Sequence, residues 1–389
     1  MAEDKAGEYG IAAGIGIVAV AAFQNSIFAI VSGVSGFAAE FSSYSTTAVQ
    51  MIVTLPNLTA LVVALIVGLF ASGISTKTAV LTGIAINGIS GAAVYWLESY
   101  TAIMASRVVF GVSLGIISPL CVSVVSEYYS GEKRAAMIGI KTAVQNAFAV
   151  AFGFLGGMLA ANAWRMSYLL YLVALPIFFI VLFFMPKKPS IKSARAGEKI
   201  HLTRTAMYCC FYILLFWLFL QVFSTNSSML VSAREFGDAS DAGFGVSIYQ
   251  IAGTISALSF SAAYKILRRF TLPVASAITA AGLMIIGGSN SLGAFYCGSA
   301  LAGAGLSLCT PKLSLDMFSS LNSSSRTLGI GILMSFMYTG QFLSPLILNP
   351  ISDGTPQSRF YIASAGLIAM TVIVGVQNVL HKYPESVEA

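Results

Sequence analysis

Charge is what this sequence has least of. Of its 389 residues only 9% are Asp, Glu, Lys or Arg, against about 25% in a soluble domain whose surface must face water. A chain so poor in charge cannot cover itself in that way, which excludes a soluble enzyme, a nucleic-acid binder and a disordered protein. Histidine is nearly missing too. His201 and His381 both fall in polar stretches outside the apolar runs, so no histidine relay or metal site is expected. The five cysteines, Cys121, Cys209, Cys210, Cys297 and Cys309, all lie in apolar runs and show no C-x-x-C spacing, so they read as small buried hydrophobes. No cofactor is implied. Catalytic carboxylates and histidines do not cluster at one membrane face, which argues against a membrane-embedded transferase, and the chain is not read as an enzyme. Met1 to Tyr9 is net acidic and lacks a basic n-region, and the apolar run from Gly10 is too long for a signal-peptide core. A retained first helix is expected there.

Apolar residues are abundant instead: 57% of the chain, with a mean hydropathy of +0.84. Runs long enough to span a bilayer as helices occur near 10–38, 46–72, 78–97, 101–126, 135–161 and 167–185. They resume near 205–232, 242–264, 271–289, 292–318, 327–349 and 359–380. Only helices fit, because an open strand edge would leave backbone groups unpaired in lipid. The runs are also too long for the strands of an outer-membrane barrel. The expected fold is therefore an all-α integral membrane protein with twelve transmembrane helices.

If the N-terminus is cytoplasmic, most loop Lys and Arg residues fall inside, against Arg165, Arg234 and Arg359 outside. That bias predicts cytoplasmic termini in a multi-pass protein of the cytoplasmic (cell inner) membrane. One long polar stretch, Pro186 to Arg204, is strongly basic, as a linker beside an anionic leaflet would be. It divides the chain into a bundle over 1–186, a linker over 187–204 and a second bundle over 205–389. At a fixed offset of 192, Lys77 meets Arg269, Gly111 meets Gly303, Pro119 meets Pro311, and Arg134 meets Arg326. Ile138, Gly139 and Ile140 meet Ile330, Gly331 and Ile332 at the same offset. Two such halves are the signature of a secondary transporter, with its solute site between them near the bilayer midplane. Small-residue pairs such as Gly111/Gly115 and Gly153/Gly157 read as close helix contacts.

From Arg107 to Gly139 the chain reads RVVFGVSLGIISPLCVSVVSEYYSGEKRAAMIG. An Arg, a Gly four residues on, a Pro, then a Glu and a basic loop resemble the fourth-helix pattern of the major facilitator superfamily. Trp164-Arg165 is similar to that family's sixth-helix start. The resemblance covers essentially the whole chain and implies two pseudo-symmetric six-helix bundles, alternating access and a monomer. It also implies gating by Gly68, Lys77, Glu127 and Arg134, with Arg269 and Arg326 their counterparts in the second half. The sequence departs from the family in two places. In GLFASGISTK, Ser72 stands where the family has Asp and Ser75 where it has Gly, and in the second half Tyr264 takes the Asp place. That removes the charge lock the family uses at this loop. FGFLGG keeps Gly156 and Gly157, but Phe152 and Gly153 stand where drug antiporters have Gly and Pro.

Ionisable residues inside spans are functional candidates by default. These are Arg107, Lys141, Lys312 and Asp316. Lys312 and Asp316 share one helix face a turn apart, so a permanent ion pair is the structural alternative to a proton-coupling role for Asp316. Arg107 reads either as a cavity residue or as a helix-packing one. Lys141 either faces the cavity or snorkels to the headgroups. Uncharged polar candidates for the substrate cavity are Gln24, Asn25, Asn57, Gln145, Asn146, Gln221, Asn226, Tyr249, Gln250, Tyr338 and Gln341, each of which also suits interhelical hydrogen bonding. Three cations against one carboxylate favour an organic anion as the solute, with membrane lipid and the proton as further partners. The alternative is a proton-driven exporter of drugs or amphiphiles.

Overall fold

The computed structural model describes residues 14–70, 75–129, 131–185, 203–321 and 326–380. The expected acidic start, the loop with Ser72, nearly all of the basic linker and the C-terminal tail lie outside the described residues. Each of the twelve predicted intervals holds a helical run, numbered here in chain order. They are α1 (14–40), α2 (Thr46–Phe70), α3 (Thr76–Ala93), α4 (Tyr100–Tyr128), α5 (Gly131–Asn162) and α6 (Trp164–Phe184). The second half has α7 (Arg204–Ala233), α8 (239–267), α9 (Thr271–Gly288), α10 (Leu292–Ser320), α11 (Arg326–Ile351) and α12 (Pro356–Leu380). Among the described residues, ten helices are long and apolar enough to cross a membrane. Thr76–Ala93 and Ala239–Leu258 are helices not among those ten, so the expected number of spans is met in helices but not fully in apolarity.

The helices start where small polar side chains can hold unpaired N–H groups. Ser75, Ser99, Thr203 and Ser291 each accept a hydrogen bond from the backbone N–H three residues on. Asp238 and Asp241 form a reciprocal capping box at the head of α8. Polar residues also break helices. The turn at 24–27, containing Gln24 and Asn25, interrupts α1, and α7 is interrupted at Gln221. Pro119 and Pro311 both sit inside helices, α4 and α10, as the repeat requires.

Buried apolar side chains form two clusters, one drawn from residues 17–185 and one from residues 206–374 together with Val31. Glycines set the closest approaches. A Cβ at Gly111 would lie 2.4 Å from the Pro56 carbonyl oxygen of α2, and one at Gly303 2.0 Å from the Tyr249 carbonyl oxygen of α8. The two halves thus repeat the same contact. Gly157 of α5 meets Gly243 of α8 across the seam between them, 2.8 Å from a built Cβ to the Gly243 Cα. Of the cysteines, four are buried, but Cys297 is exposed. In an apolar helix an outward face suits a small hydrophobe as well as an inward one, so the expectation of burial fails there.

Candidate functional site: charges within the bundle and the seam between its halves

Arg107 on α4 is wholly buried. Its Nη2 donates to the carbonyls of Ser90 (3.1 Å) and Gly91 (3.4 Å) in the last turn of α3. The remaining carbonyls of that turn, Ala92 and Ala93, accept from the N–H groups of Tyr95 and Trp96. A helix end buried in an apolar bundle must have its carbonyls satisfied, and a cation there also complements the helix dipole. The guanidinium lies over Phe110, Tyr168 and Tyr171, with ring centroids at 4.6, 5.1 and 5.6 Å. These contacts lie within the first half and tie α3, α4 and α6 together, while among the described residues Arg107 Nε and Nη1 are buried without a hydrogen-bond partner.

Lys312 and Asp316 form the ion pair that their spacing suggests, at 2.5 Å, with Lys312 Nζ also 5.2 Å from the Tyr264 ring centroid. Lys141 on α5 differs from both other cations. It is only 8% exposed, so it is not extended to a headgroup surface. Among the described residues it has no ion-pair partner. It lies within electrostatic reach of Cys121 on α4. One turn further along α5, Gln145 donates to Asn25 Oδ1 at 3.3 Å, which joins α5 to the break in α1. Gln24 keeps a buried Oε1 without a partner. Asn57 is buried, and Asn146 is half-buried.

In the second half Gln221 and Gln341 are buried, Gln250 is half-buried, and Tyr249 stacks on Phe223 at 4.5 Å. Tyr338 of α11 donates across the seam to Ser118 Oγ of α4 at 3.1 Å. Of the expected gating residues, Lys77 donates to the Leu182 carbonyl at 2.6 Å, and Arg269 is exposed beside Phe270. The side chains of Glu127, Arg134 and Arg326 are not described, and Gly68 lies in the last turn of α2.

Sequence reasoning missed the residues that join the two halves at the end of the bundle opposite the chain termini, here called the distal end. Asn226 does appear among the expected site residues, but its partners Gln50 and Arg359, and Asn349 and Thr47 linked to them through Gln50, do not. Gln50 Nε2 of α2 donates to Asn226 Oδ1 of α7 at 2.8 Å, and its Oε1 accepts from Asn349 Nδ2 of α11 at 2.9 Å. Asn349 Nδ2 also donates to Thr47 Oγ1, and Arg359 Nη1 to Asn226 Oδ1, both at 3.0 Å. A signal existed in the sequence: Gln50 is a large amide inside an apolar run. Its place near the run's edge made it look like a boundary residue, as Arg359 looked like a loop residue.

The distal end also holds an ion pair between Glu40 and Arg165, with Trp164 Nε1 donating to Glu40 Oε2 at 2.7 Å. Partial burial pushes the Glu40 carboxyl up. The hydrogen bonds from Arg165 and Trp164 and the Arg165 charge outweigh this and hold it below its usual 4.5. A carboxyl lowered on folding stabilises the fold above its unfolded pKa, and that contribution is lost as pH falls through the folded value. The melting temperature of the wild type is therefore expected to exceed that of Glu40→Gln by a small margin at neutral pH. The gap should close as the pH drops below 4.5. A thermal-denaturation series over pH checks this, and the partial exposure of the pair keeps the effect modest.

The sequence matches the Major Facilitator Superfamily over residues 14–345. The chain belongs to this superfamily. Among solved structures, a point mutant of the nucleoside transporter NupG superposes with a TM-score of 0.76 at 10% identity, covering 93% of this chain and 98% of that one. A D-xylose-proton symporter gives 0.71 at 12% identity, covering 94% and 96%. The human organic anion transporter MFSD10 gives 0.64 at 15%, covering 95% and 99%. At these identities the likeness is one of fold. No curated protein matches the chain. The superfamily membership and the apolar helices make it a multi-pass membrane transporter.

Proposed function

We propose that this transporter carries a small organic anion by alternating access, coupled to protons through Asp316. The observation that carries the reading is Lys141. The sequence offers three cations to one carboxylate within the spans, and the surplus narrows once the contacts are counted. Arg107 also has no ion-pair partner among the described residues, but helix-end carbonyls and three aromatic rings hold its guanidinium, and Lys312 is neutralised by Asp316. Lys141 remains, a buried ammonium with no counter-ion among the described residues. A buried charge without a counter-ion is costly, and an anionic solute removes the cost. Gln145 and Asn146 lie a turn away and supply neutral hydrogen-bonding groups for the rest of the solute. The halves 1–186 and 205–389 are the units that rock. The distal end faces out of the cytoplasm, both termini face in, and the membrane is the cytoplasmic one. The working unit is a monomer.

The test is thermal stabilisation of the purified protein by organic anions, organic cations and neutral solutes, because ligands that prefer the folded state raise its apparent stability by mass action. A carboxylate solute is expected to raise the melting temperature of wild type, Lys141→Arg to retain part of that rise, and Lys141→Ala to lose it. Stabilisation by lipophilic cations alone would replace this reading with the amphiphile exporter.

A further inference from the structure

The hydrogen bonds that cross the seam are unevenly placed. Among the described residues they are Ser35 N–H to Ser228 Oγ, Gln50 to Asn226, to the Thr225 carbonyl and to Met229 Sδ, Asn349 to Gln50 and Thr47, Ser247 Oγ to the Val150 carbonyl, and Tyr338 to Ser118. The Tyr338–Ser118 bond lies toward the middle of the helices, and the others lie toward the distal end. Within this set Gln50 is the hub. It is wholly buried and comes from the first half, yet both ends of its amide are spent on helices of the second half, α7 and α11. Asn226 Oδ1 is shared between Gln50 and Arg359, itself only 2% exposed. Arg359 Nη2 donates to the Gly354 carbonyl at 2.9 Å. Among the described residues no carboxylate hydrogen-bonds any member of this cluster.

We propose that Gln50 is the distal gate residue of the transport cycle: its amide clamps α2 to α7 and α11, and the halves part at that end only when its bonds to both helices break. It is a positioning residue, acting through Asn226 and Asn349 on the spacing of the helices. The clamp is built from neutral amides with one guanidinium, so it holds without an ion pair and does not loosen as salt is raised, unlike an exposed salt bridge. Burying an amide is unfavourable unless it is paired: both ends of the Gln50 amide and of the Asn226 amide are paired, while among the described residues Asn349 Oδ1 and Arg359 Nε are buried without a partner. Once parted, the same groups meet water, which replaces the lost bonds and makes the clamp reversible. The inference rests on alternating access alone and does not depend on the chemistry of the solute.

The experiment uses full-length protein in lipid nanodiscs carrying Ser228→Cys, a reporter at a position 2% exposed in the distal seam. The serine hydroxyl it replaces accepts from Ser35 N–H, so the Ser228→Cys protein is the baseline for every comparison. Modification of the reporter by a maleimide is read residue by residue by mass spectrometry, so the native cysteines do not interfere. Adding Gln50→Ala removes every described side-chain bond from α2 to α7 and the Gln50 bond to α11, and the modification rate is expected to rise roughly three- to tenfold. Hydrogen exchange should at the same time slow at the opposite, near-terminus ends of α4, α5 and α10, where the halves draw together. Asn349→Ala, which removes the bonds from α11 to Gln50 and Thr47 but leaves Gln50 bonded to α7, is expected to give a smaller shift of the same kind, and serves if Gln50→Ala fails to fold. High salt should leave the rate of the Ser228→Cys protein, without a second substitution, unchanged. The proposal is overturned if the reporter stays protected in both variants, if exchange rises at both ends together, or if salt alone exposes the reporter. If the anion reading fails while the reciprocal change appears, the gate stands.

Discussion

Replacing Arg107 with methionine is expected to destabilise the protein by about 3 kcal/mol, the upper range for hydrogen bonds to a charged group, while leaving solute affinity in the surviving folded fraction unchanged. Methionine fills much of the volume, so the loss comes mainly from chemistry. The Gly91 carbonyl would be left without its donor inside the bundle, and the Ser90 carbonyl would keep only the Ser106 hydroxyl. The last turn of α3 would also lose the cation that complements its dipole. Arg107→Lys is expected to recover only part of the stability. An ammonium cannot span two carbonyls while lying flat against Phe110 and Tyr168. Chemical or thermal denaturation of the three proteins, paired with ligand titration, separates the roles. A cavity residue would lose affinity with little change in stability, which is the opposite pattern.

The fate of Arg107 shows where sequence reading stops. The number and order of the helices were legible because a hydrocarbon solvent demands long apolar runs whose backbone is satisfied internally. The repeat was legible because Gly111 and Gly303 are both needed where one helix presses on another, and each half makes that contact in the same place. Facing was not legible. In water a helix has an apolar side and a polar side, but in a bilayer both the lipid side and the core side are apolar, so periodicity does not say which way residue 107 points. The clamp residues were overlooked for a related reason. Polar side chains near a span's end are the ordinary sign of a membrane boundary, and only the packing of α2 against α7 and α11 turns Gln50 into a buried link. Conversely the Lys312–Asp316 pair was readable, since four residues along one helix fix the distance whatever the helix packs against.

The second large effect is expected at Asp316. Asp316→Asn removes the only carboxylate paired within the spans among the described residues and leaves Lys312 with the Tyr264 ring alone. Uptake driven by a pH gradient is expected to fall to background, a loss of at least a hundredfold. That corresponds to about 2.7 kcal/mol of coupling free energy, at 1.36 kcal/mol for each factor of ten. Exchange of labelled for unlabelled solute, which needs no net proton movement, should survive in the variant. Lys312→Ala should instead impair both modes, because it leaves Asp316 without its partner in a low-dielectric site. Loss of both modes in Asp316→Asn would mean that the pair is a structural strut and that protons couple elsewhere or not at all.

Proton-coupled transport of an organic anion is tested most directly by an assay that works before the solute is identified. Proteoliposomes are loaded with a trapped pH indicator, and organic anions, organic cations and neutral solutes are added outside one at a time. At least one small organic anion is expected to change the internal pH in vesicles containing the wild-type protein. The signal should vanish in Asp316→Asn and weaken strongly in Lys141→Ala. A response to lipophilic cations with none to any anion would contradict anion transport by this chain.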